Sequence, residues 1–158
     1  MTNPLAKQLQ IPEKEIPRLL NQTELILKSF RFWTGKDLLP GLQNLSIEER
    51  AVALFEAPFA VLSSNNASDP ILTYGNKIAL TLWEMPLEIL TQTPGRQTAE
   101  PDAREARQRV LNRVKEKGIV RDYEGIRISK TGRRFEIKNA SVWNLVDDQK
   151  KFIGQAAS

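Results

Sequence analysis

The sequence of 158 residues contains no cysteine and no histidine, and these two absences restrict its chemistry more than any motif does. Without cysteine there is no disulfide, thiolate nucleophile, iron–sulfur cluster or cysteine zinc site. Without histidine there is no imidazole base, imidazole metal ligand or histidyl phosphotransfer. Any catalysis would have to use a carboxylate, Lys, Arg, Tyr or a hydroxyl group.

Long apolar runs and massed charge of one sign are lacking as well. No stretch approaches the ~18 apolar residues that cross a membrane, and charges occur throughout the first thirty residues, so we expect a cytoplasmic protein without membrane contact. The 23 Lys and Arg exceed the 19 Asp and Glu by a net charge of +4, but the two signs interleave along the chain. This interleaving argues against nucleic acid as a partner.

The composition that remains is that of an ordinary folded protein. Hydrophobic residues make up 41% and charged residues 27% of the chain, which is enough apolar surface to form a core. Apolar positions recur at helical spacing over residues 16–33, and the Ser46–Glu49 spacing is that of a capping box that opens a second helix. We therefore interpret residues 1–56 as an N-terminal helical extension and residues 57–158 as the main domain.

From residue 57 onward the hydrophobic pattern alternates between strand and helix periods. Asn76 has the position of a helix N-cap, and the longest amphipathic stretch ends at Gly118. The predicted elements are, in chain order, strands at 59–63 and 71–74, a helix from 76, a short helix at 87–90, a helix at 101–117, and strands at 119–130, 133–146 and 151–157. This order predicts an α+β fold with a five-stranded antiparallel sheet.

The Thr131-Gly132 pair predicts a tight hairpin between the two long strands. A two-residue loop would pair Lys130 with Arg133 and would place Trp143 opposite Val120, whereas a three-residue loop would shift each pair by one. With the two-residue loop, Trp143 is expected to be buried on the side of the sheet that faces the later helices.

The opposite face of the second long strand is also apolar, because Val142 and Val146 point there, and such a face needs a cover. We expect the helix at 16–33 to cover it, with a second subunit as the alternative.

The order of elements resembles that of a PAS domain, and the segment 71–76 (ILTYGN) is similar to the second strand and helix-opening Asn of that fold. Four segments, 96–101 (RQTAEP), 125–129 (GIRIS), 131–135 (TGRRF) and 142–145 (VWNL), are similar to the MEKHLA domain. That PAS-related module occurs in free-standing bacterial proteins, the type indicated here, and at the C-terminus of plant homeodomain–leucine zipper regulators. The resemblance covers residues 55–158. It implies a PAS-like five-stranded antiparallel sheet with helices on one face, and a role in sensing or protein interaction.

The missing residue types restrict what this resemblance can imply about cofactors. Without cysteine, the flavin–cysteine photoadduct of light-sensing relatives cannot form, and without histidine the usual haem ligation is lost. A noncovalent flavin stays open, and the sequence identifies no cofactor.

Several side chains are candidates for a ligand site. Trp83, Met85 and Trp143 would line a cavity or fill the core. Arg96, near the start of the long helix, would hold an anion or pair with Glu100.

Three further candidates come from the predicted register of the hairpin. That register places Asp122, Glu124 and Asn139 on the apolar side of the sheet, where polar groups need water, partners or a ligand. These residues would be the polar anchors of a bound molecule.

We expect a non-enzymatic sensory or protein-interaction module that binds a small organic ligand, a signalling partner or a second copy of itself. The alternative is a small cone-shaped α+β enzyme in which Asp122 or Glu124 acts as a general base with a pKa raised by burial. A DNA-associated regulator is a third hypothesis, suggested only by the net charge and by the context of the plant relatives.

Overall fold

A computed structural model describes residues 3–158, in which a five-stranded antiparallel sheet lies between two layers of helices. The elements are, in chain order, α1 (Pro4–Leu9), α2 (Ile16–Thr34), α3 (Ile47–Phe55), β1 (Leu62–Asn65), β2 (Leu72–Gly75), α4 (Lys77–Trp83), α5 (Leu87–Leu90), α6 (Pro101–Lys117), β3 (Ile119–Ile128), β4 (Arg134–Val146) and β5 (Phe152–Ala157). Short 3-10 turns occupy Glu13–Glu15 and Gly95–Thr98. The strand order is β2-β1-β5-β4-β3, which confirms the predicted fold class.

Local signals in the sequence set the ends of the helices. Gly35 ends α2 with a left-handed φ of 70°, as the spacing predicted. Both hydrogen bonds of the Ser46–Glu49 capping box form at the start of α3. The Asn76 side chain accepts a hydrogen bond from the Ala79 backbone N–H and caps α4. These boundaries are therefore set by the residues next to them.

The β3–β4 hairpin has a three-residue loop instead of the predicted two-residue one. The Ser129 N–H donates to the Arg133 carbonyl at 2.8 Å, and Gly132 takes a positive φ of 93° in the loop. As a result Trp143 pairs with Ile119, and the predicted pairing of Trp143 with Val120 is wrong by one residue. A carboxylate at the C-terminal end of α4 holds this loop by hydrogen bonds.

That carboxylate belongs to Glu84, the residue that follows α4. The Ser129 hydroxyl donates to it at 2.6 Å, and the Thr131 hydroxyl also donates to it. The hydrogen bonds from Ser129 and Thr131 hold the pKa of Glu84 below its usual range, with the nearby Arg133 charge adding to the effect. Glu84 thereby joins the tip of the hairpin to α4.

The side-chain alternation of both long strands reverses at irregular positions. Asp122 in β3 and Asn139 in β4 adopt left-handed φ values of 57° and 54°, and the β3–β4 register shifts around them. Consequently Phe135 and Trp143 lie on opposite faces of the sheet, although eight residues separate them. Phe135 packs edge-on against Trp83 on the face of the later helices.

The other face of the sheet is covered by α1, α2 and α3. Trp143 is fully buried there, as expected of its size, but it packs edge-on against Phe30 of α2 with ring centroids 5.0 Å apart. Leu145 belongs to the same core cluster. The prediction that α2 covers Val142 and that Trp143 faces the later helices is therefore wrong, because the irregularity at Asn139 exchanges the two faces.

We call the face of the sheet that packs against α4, α5 and α6 the inner face. Val142 lies on it, as Phe135 does. Val146 lies next to α2, because its backbone N–H donates to the Ser29 hydroxyl of that helix at 2.9 Å. None of the helices formed by residues 3–158 has both the length and the apolar character needed to cross a membrane.

Candidate functional site

A cavity of about 270 Å³ lies between the inner face of the sheet and the later helices. We call it the inner cavity. Most of its wall is apolar, and the apolar side chains that line it include Leu62, Leu72, Trp83, Leu111, Ile137 and Val142. All five strands of the sheet contribute residues to the wall or its rim, so the position of the cavity depends on the sheet as a whole.

Trp83 is the aromatic anchor of this wall. It is the last residue of α4 and only 4% exposed, and its ring meets Phe135 at a centroid distance of 4.9 Å. The indole Nε1–H has no hydrogen-bond acceptor among residues 3–158. A buried indole N–H normally finds an acceptor, so the absence of one at Trp83 is a departure from the usual pattern, shared with Trp143.

Two arginines reach the inner cavity from different elements. Arg127, in β3, is 7% exposed, and its guanidinium donates to the Tyr123 hydroxyl at 2.8 Å and to the Ile126 carbonyl at 2.9 Å. The same guanidinium lies 5.4 Å from the centre of the Tyr123 ring. Arg127 and Tyr123 both line the cavity, which is possible because they are four residues apart on one face of the strand.

Arg107 enters the cavity from α6 and has no comparable partners. Within residues 3–158 its guanidinium forms neither an ion pair nor a hydrogen bond. The guanidinium lies close to Gly95, where a Cβ atom would come within 2.8 Å of Nη2. The absence of a side chain at position 95 thus gives the Arg107 head group its space.

Burial and the neighbouring positive charge of Arg127 lower the pKa of Arg107 to about 10. The guanidinium remains charged at neutral pH, and within residues 3–158 no acidic side chain pairs with it. Lys138 also lines the cavity and pairs with Glu136 at 3.8 Å, whereas none of the described side chains on the cavity wall is a carboxylate. The inner cavity is therefore apolar in its walls and positive in its charge.

Of the candidates chosen from the sequence, Trp83 lies on the cavity wall. Met85 is buried in the same apolar cluster as Trp83, and its sulfur accepts a hydrogen bond from the Thr93 hydroxyl at 3.7 Å, but Met85 does not line the cavity. Trp143 lies beneath α2 on the other face of the sheet. The predicted aromatic group is thus divided between the two cores.

The polar candidates lie outside the cavity. Asp122, Glu124 and Asn139 are exposed, because the left-handed residues of the hairpin and the shift of register turn them to solvent. Arg96 is also largely exposed and pairs with Asp69 at 3.2 Å instead of the expected Glu100. The predicted anchors therefore do not come together around a ligand-sized space.

The residues that sequence reasoning missed are the two cavity arginines and Tyr123. Arg107 belongs to α6, a helix with several other arginines, and the sequence does not distinguish it from them. The register of the predicted two-residue loop puts Arg127 opposite Glu136, but in the structure Arg127 pairs across the strands with Phe135. The one available signal was the period-two spacing of Tyr123 and Arg127, which places both side chains on one face of β3.

Comparison with proteins of known sequence identifies a family. The family model for the MEKHLA domain matches residues 20–158. The homeobox-leucine zipper protein ATHB-9 of Arabidopsis thaliana is 25% identical to this chain over 150 residues. That alignment covers 93% of this chain but 18% of ATHB-9, so the chain spans less than one fifth of the length of this relative.

Comparison with solved structures supports the same assignment at the level of fold. The PAS domain of a protein from Colwellia psychrerythraea superposes with a TM-score of 0.61 and 19% identity, over 70% of this chain and 92% of that one. A light-oxygen-voltage domain studied with a flavin analogue superposes with a TM-score of 0.53 and 19% identity, over 74% and 84% of the two chains. The fold is thus that of PAS domains. Because the MEKHLA model matches most of the sequence and the structure has this fold, the chain belongs to the MEKHLA domain family.

Proposed function

We propose that this protein is a sensory module that binds a small organic molecule in the inner cavity and that works by binding instead of catalysis. The inner cavity carries this proposal. Its volume of about 270 Å³ lies just below the usual range of ligand sites, ~300–1,000 Å³, and suits a small molecule. Its mostly apolar wall with a few polar groups is also the usual composition of such sites.

The arrangement of charged groups supports binding over the enzyme hypothesis. That hypothesis required a buried carboxylate as general base, but Asp122 and Glu124 are exposed. Among the described residues, the cavity wall contains arginine, lysine, tyrosine and hydroxyl groups but no acidic side chain. These groups bind and orient a molecule, but they provide no obvious base for proton transfer at neutral pH.

The module would act on another protein and not on nucleic acid directly. The relative ATHB-9 is named a homeobox-leucine zipper protein, and this chain covers only a small part of it. In this chain the exposed basic residues of α6 are offset by acidic neighbours, as in the Arg109–Glu105 ion pair at 3.4 Å. We therefore propose a signalling partner protein or a second copy of the chain as the receiver of the signal.

Mass spectrometry and thermal melting test the cavity as the ligand site. The purified protein would be compared under native and denaturing conditions, with an absorbance spectrum to detect any flavin, and then melted in the presence of small organic compounds. A compound that binds only the folded protein raises its melting temperature. The Ala140→Leu substitution adds bulk to the wall of the inner cavity, whereas Ala106→Leu adds the same bulk to an exposed position of α6.

We expect at least one retained molecule or stabilising compound, whose effect is reduced in Ala140→Leu and unchanged in Ala106→Leu. Stabilisation that is equal in both variants would place the binding elsewhere. If no molecule is retained and no compound raises the melting temperature, the proposal of a small-molecule sensor is wrong.

A further inference from the structure

The inner cavity has an unusual charge balance for an apolar space. Arg107 and Arg127 both reach it, no acidic side chain among the described residues lines it, and neither guanidinium forms an ion pair within residues 3–158. Burying a charge without a counter-charge is costly, and buried cations in folded proteins are normally paired. The described part of the chain leaves this charge without a partner, so an anion from outside would supply one.

We propose that the molecule bound in the inner cavity is an organic acid, whose carboxylate is held by Arg107 and Arg127 and whose apolar body lies against the wall formed around Trp83. This inference rests on the proposed function of the cavity and names the chemical class of its ligand. It commits to a carboxylate with an apolar body because the wall is mostly apolar and the polar contacts are few.

The hydrogen-bonding capacity of the two guanidinium groups agrees with this assignment. A guanidinium carries five N–H donors, and a pair of them matches the two oxygens of a carboxylate. Arg127 uses one donor on the Ile126 carbonyl and one on the Tyr123 hydroxyl, which fixes its orientation and leaves other donors free. Arg107 uses none of its donors within the described chain, and its depressed pKa is consistent with a missing counter-charge.

Trp83 supplies an independent observation on the same wall. The residue is 4% exposed, and its Nε1–H lacks an acceptor among residues 3–158. The cavity wall therefore combines an unpaired guanidinium from α6, spare donors of Arg127 in β3 and the aromatic body of Trp83 in α4, and none of its described side chains is acidic. This set of groups fits an acceptor-rich anionic ligand better than a neutral or cationic one.

The first experiment compares probes that differ in charge and have similar shape. Benzoate, octanoate, benzamide, octanamide and phenyl phosphate would be titrated by calorimetry and by Trp fluorescence at neutral pH, with the full chain. The variants are Arg107→Gln and Arg127→Gln, and Arg109→Gln is the matched control, because Arg109 lies on the same helix but is exposed and paired with Glu105.

We expect at least one of the two acids to bind more tightly than its amide, and its affinity to fall about tenfold or more in Arg107→Gln and Arg127→Gln. In Arg109→Gln the affinity should change less than about twofold. Equal binding of acid and amide, or equal loss in the control, would overturn the inference while leaving a small-molecule site in place. Tighter binding of phenyl phosphate than of either acid would overturn the assignment to a carboxylate.

A second experiment needs no ligand and covers the case in which Arg127→Gln fails to fold. In the ligand-free protein, Arg107→Met should raise the melting temperature, because it replaces a half-buried cation that has no ion-pair partner among the described residues with an apolar side chain of similar length. Arg109→Met should leave the melting temperature nearly unchanged. A clear loss of stability in Arg107→Met would show that the guanidinium already has a structural partner, and it would overturn the inference. Failure of both acids to bind the wild-type chain would do the same.

Discussion

The contact between Phe30 and Trp143 decides which face of the sheet the N-terminal helices cover. Their rings meet edge-on at a centroid distance of 5.0 Å and an interplanar angle of 69°. Both residues are buried, and Trp143 is completely inaccessible to solvent. We expect a double-mutant cycle on this pair to show a favourable coupling energy of about 0.5–1.5 kcal/mol, the range measured for aromatic pairs.

The choice of substitution matters because alanine would remove too much of the core. Replacing a buried Phe or Trp with Ala costs about 3–5 kcal/mol, and two such losses approach the whole stability of a domain. Leucine keeps an apolar group in each position and removes the ring contact. The cycle therefore uses Phe30→Leu, Trp143→Leu and the double variant.

Equilibrium unfolding in urea, followed by circular dichroism, gives the free energy of unfolding for each variant. The control cycle combines Trp143→Leu with Phe135→Leu, because Phe135 packs against Trp83 on the inner face. We expect this control coupling to stay below about 0.5 kcal/mol, as for residues without contact. Coupling of Trp143 to Phe135 and not to Phe30 would refute the face assignment described above.

Three further predictions concern single positions. Glu84→Gln should lower the melting temperature at pH 7. The difference in melting temperature from wild type should shrink as the pH falls through the acid range, because the depressed pKa of Glu84 contributes stability only while the carboxylate is ionised. A difference that does not depend on pH would contradict this. Gly118→Ala should destabilise the protein more than Gly132→Ala in urea melts. Both glycines have a φ above 90°, which gives each variant a strain of about 1–2 kcal/mol, but only a Cβ at position 118 would also clash with the Trp33 ring; equal losses would argue against this clash. Asn76→Ala should cost at least about 3 kcal/mol, because this buried side chain serves four backbone groups; a loss below about 1 kcal/mol in the same assay would show that those groups find other partners.

The helices and their ends were predictable because their signals are local. The capping box at Ser46 and the glycine at position 35 act within one turn of the chain, so tertiary packing had little to change. Helix α1 was missed although the same kind of signal is present. The Asn3 side chain accepts hydrogen bonds from the Leu5 and Ala6 backbone N–H groups, with Pro4 in the first turn.

The arrangement of the long hairpin was not predictable to the same degree. A period-two pattern assumes regular strands, and one left-handed residue in each strand is enough to invert every face beyond it. Asp122 and Asn139 occupy these positions. Asp and Asn tolerate this conformation better than most residues, but they also occur widely in regular exposed positions, so the sequence alone did not mark them.

The candidate site depended on that inversion, and this explains why only part of it was found. Trp83 was identified from its size and its place at the end of a helix, independently of the hairpin. Arg107 could not be distinguished from the other arginines of α6, because helical periodicity does not show which side of a mostly polar helix meets the sheet. Its place at the cavity follows only from the tertiary structure, which brings Gly95 and β3 next to its guanidinium.

Asn144 in β4 connects the two helical layers through the sheet. Its side chain donates to the Lys115 carbonyl of α6 at 3.2 Å and accepts from the side chain of Gln155, which lines the inner cavity. Its backbone carbonyl accepts a hydrogen bond from Trp33 of α2 at 2.9 Å. Since Gln155 also donates to the Leu111 carbonyl of α6 at 3.0 Å, a change in the position of α6 acts on the residue that holds α2. The N-terminal helices are thus joined to the wall of the cavity by hydrogen bonds as well as by apolar packing.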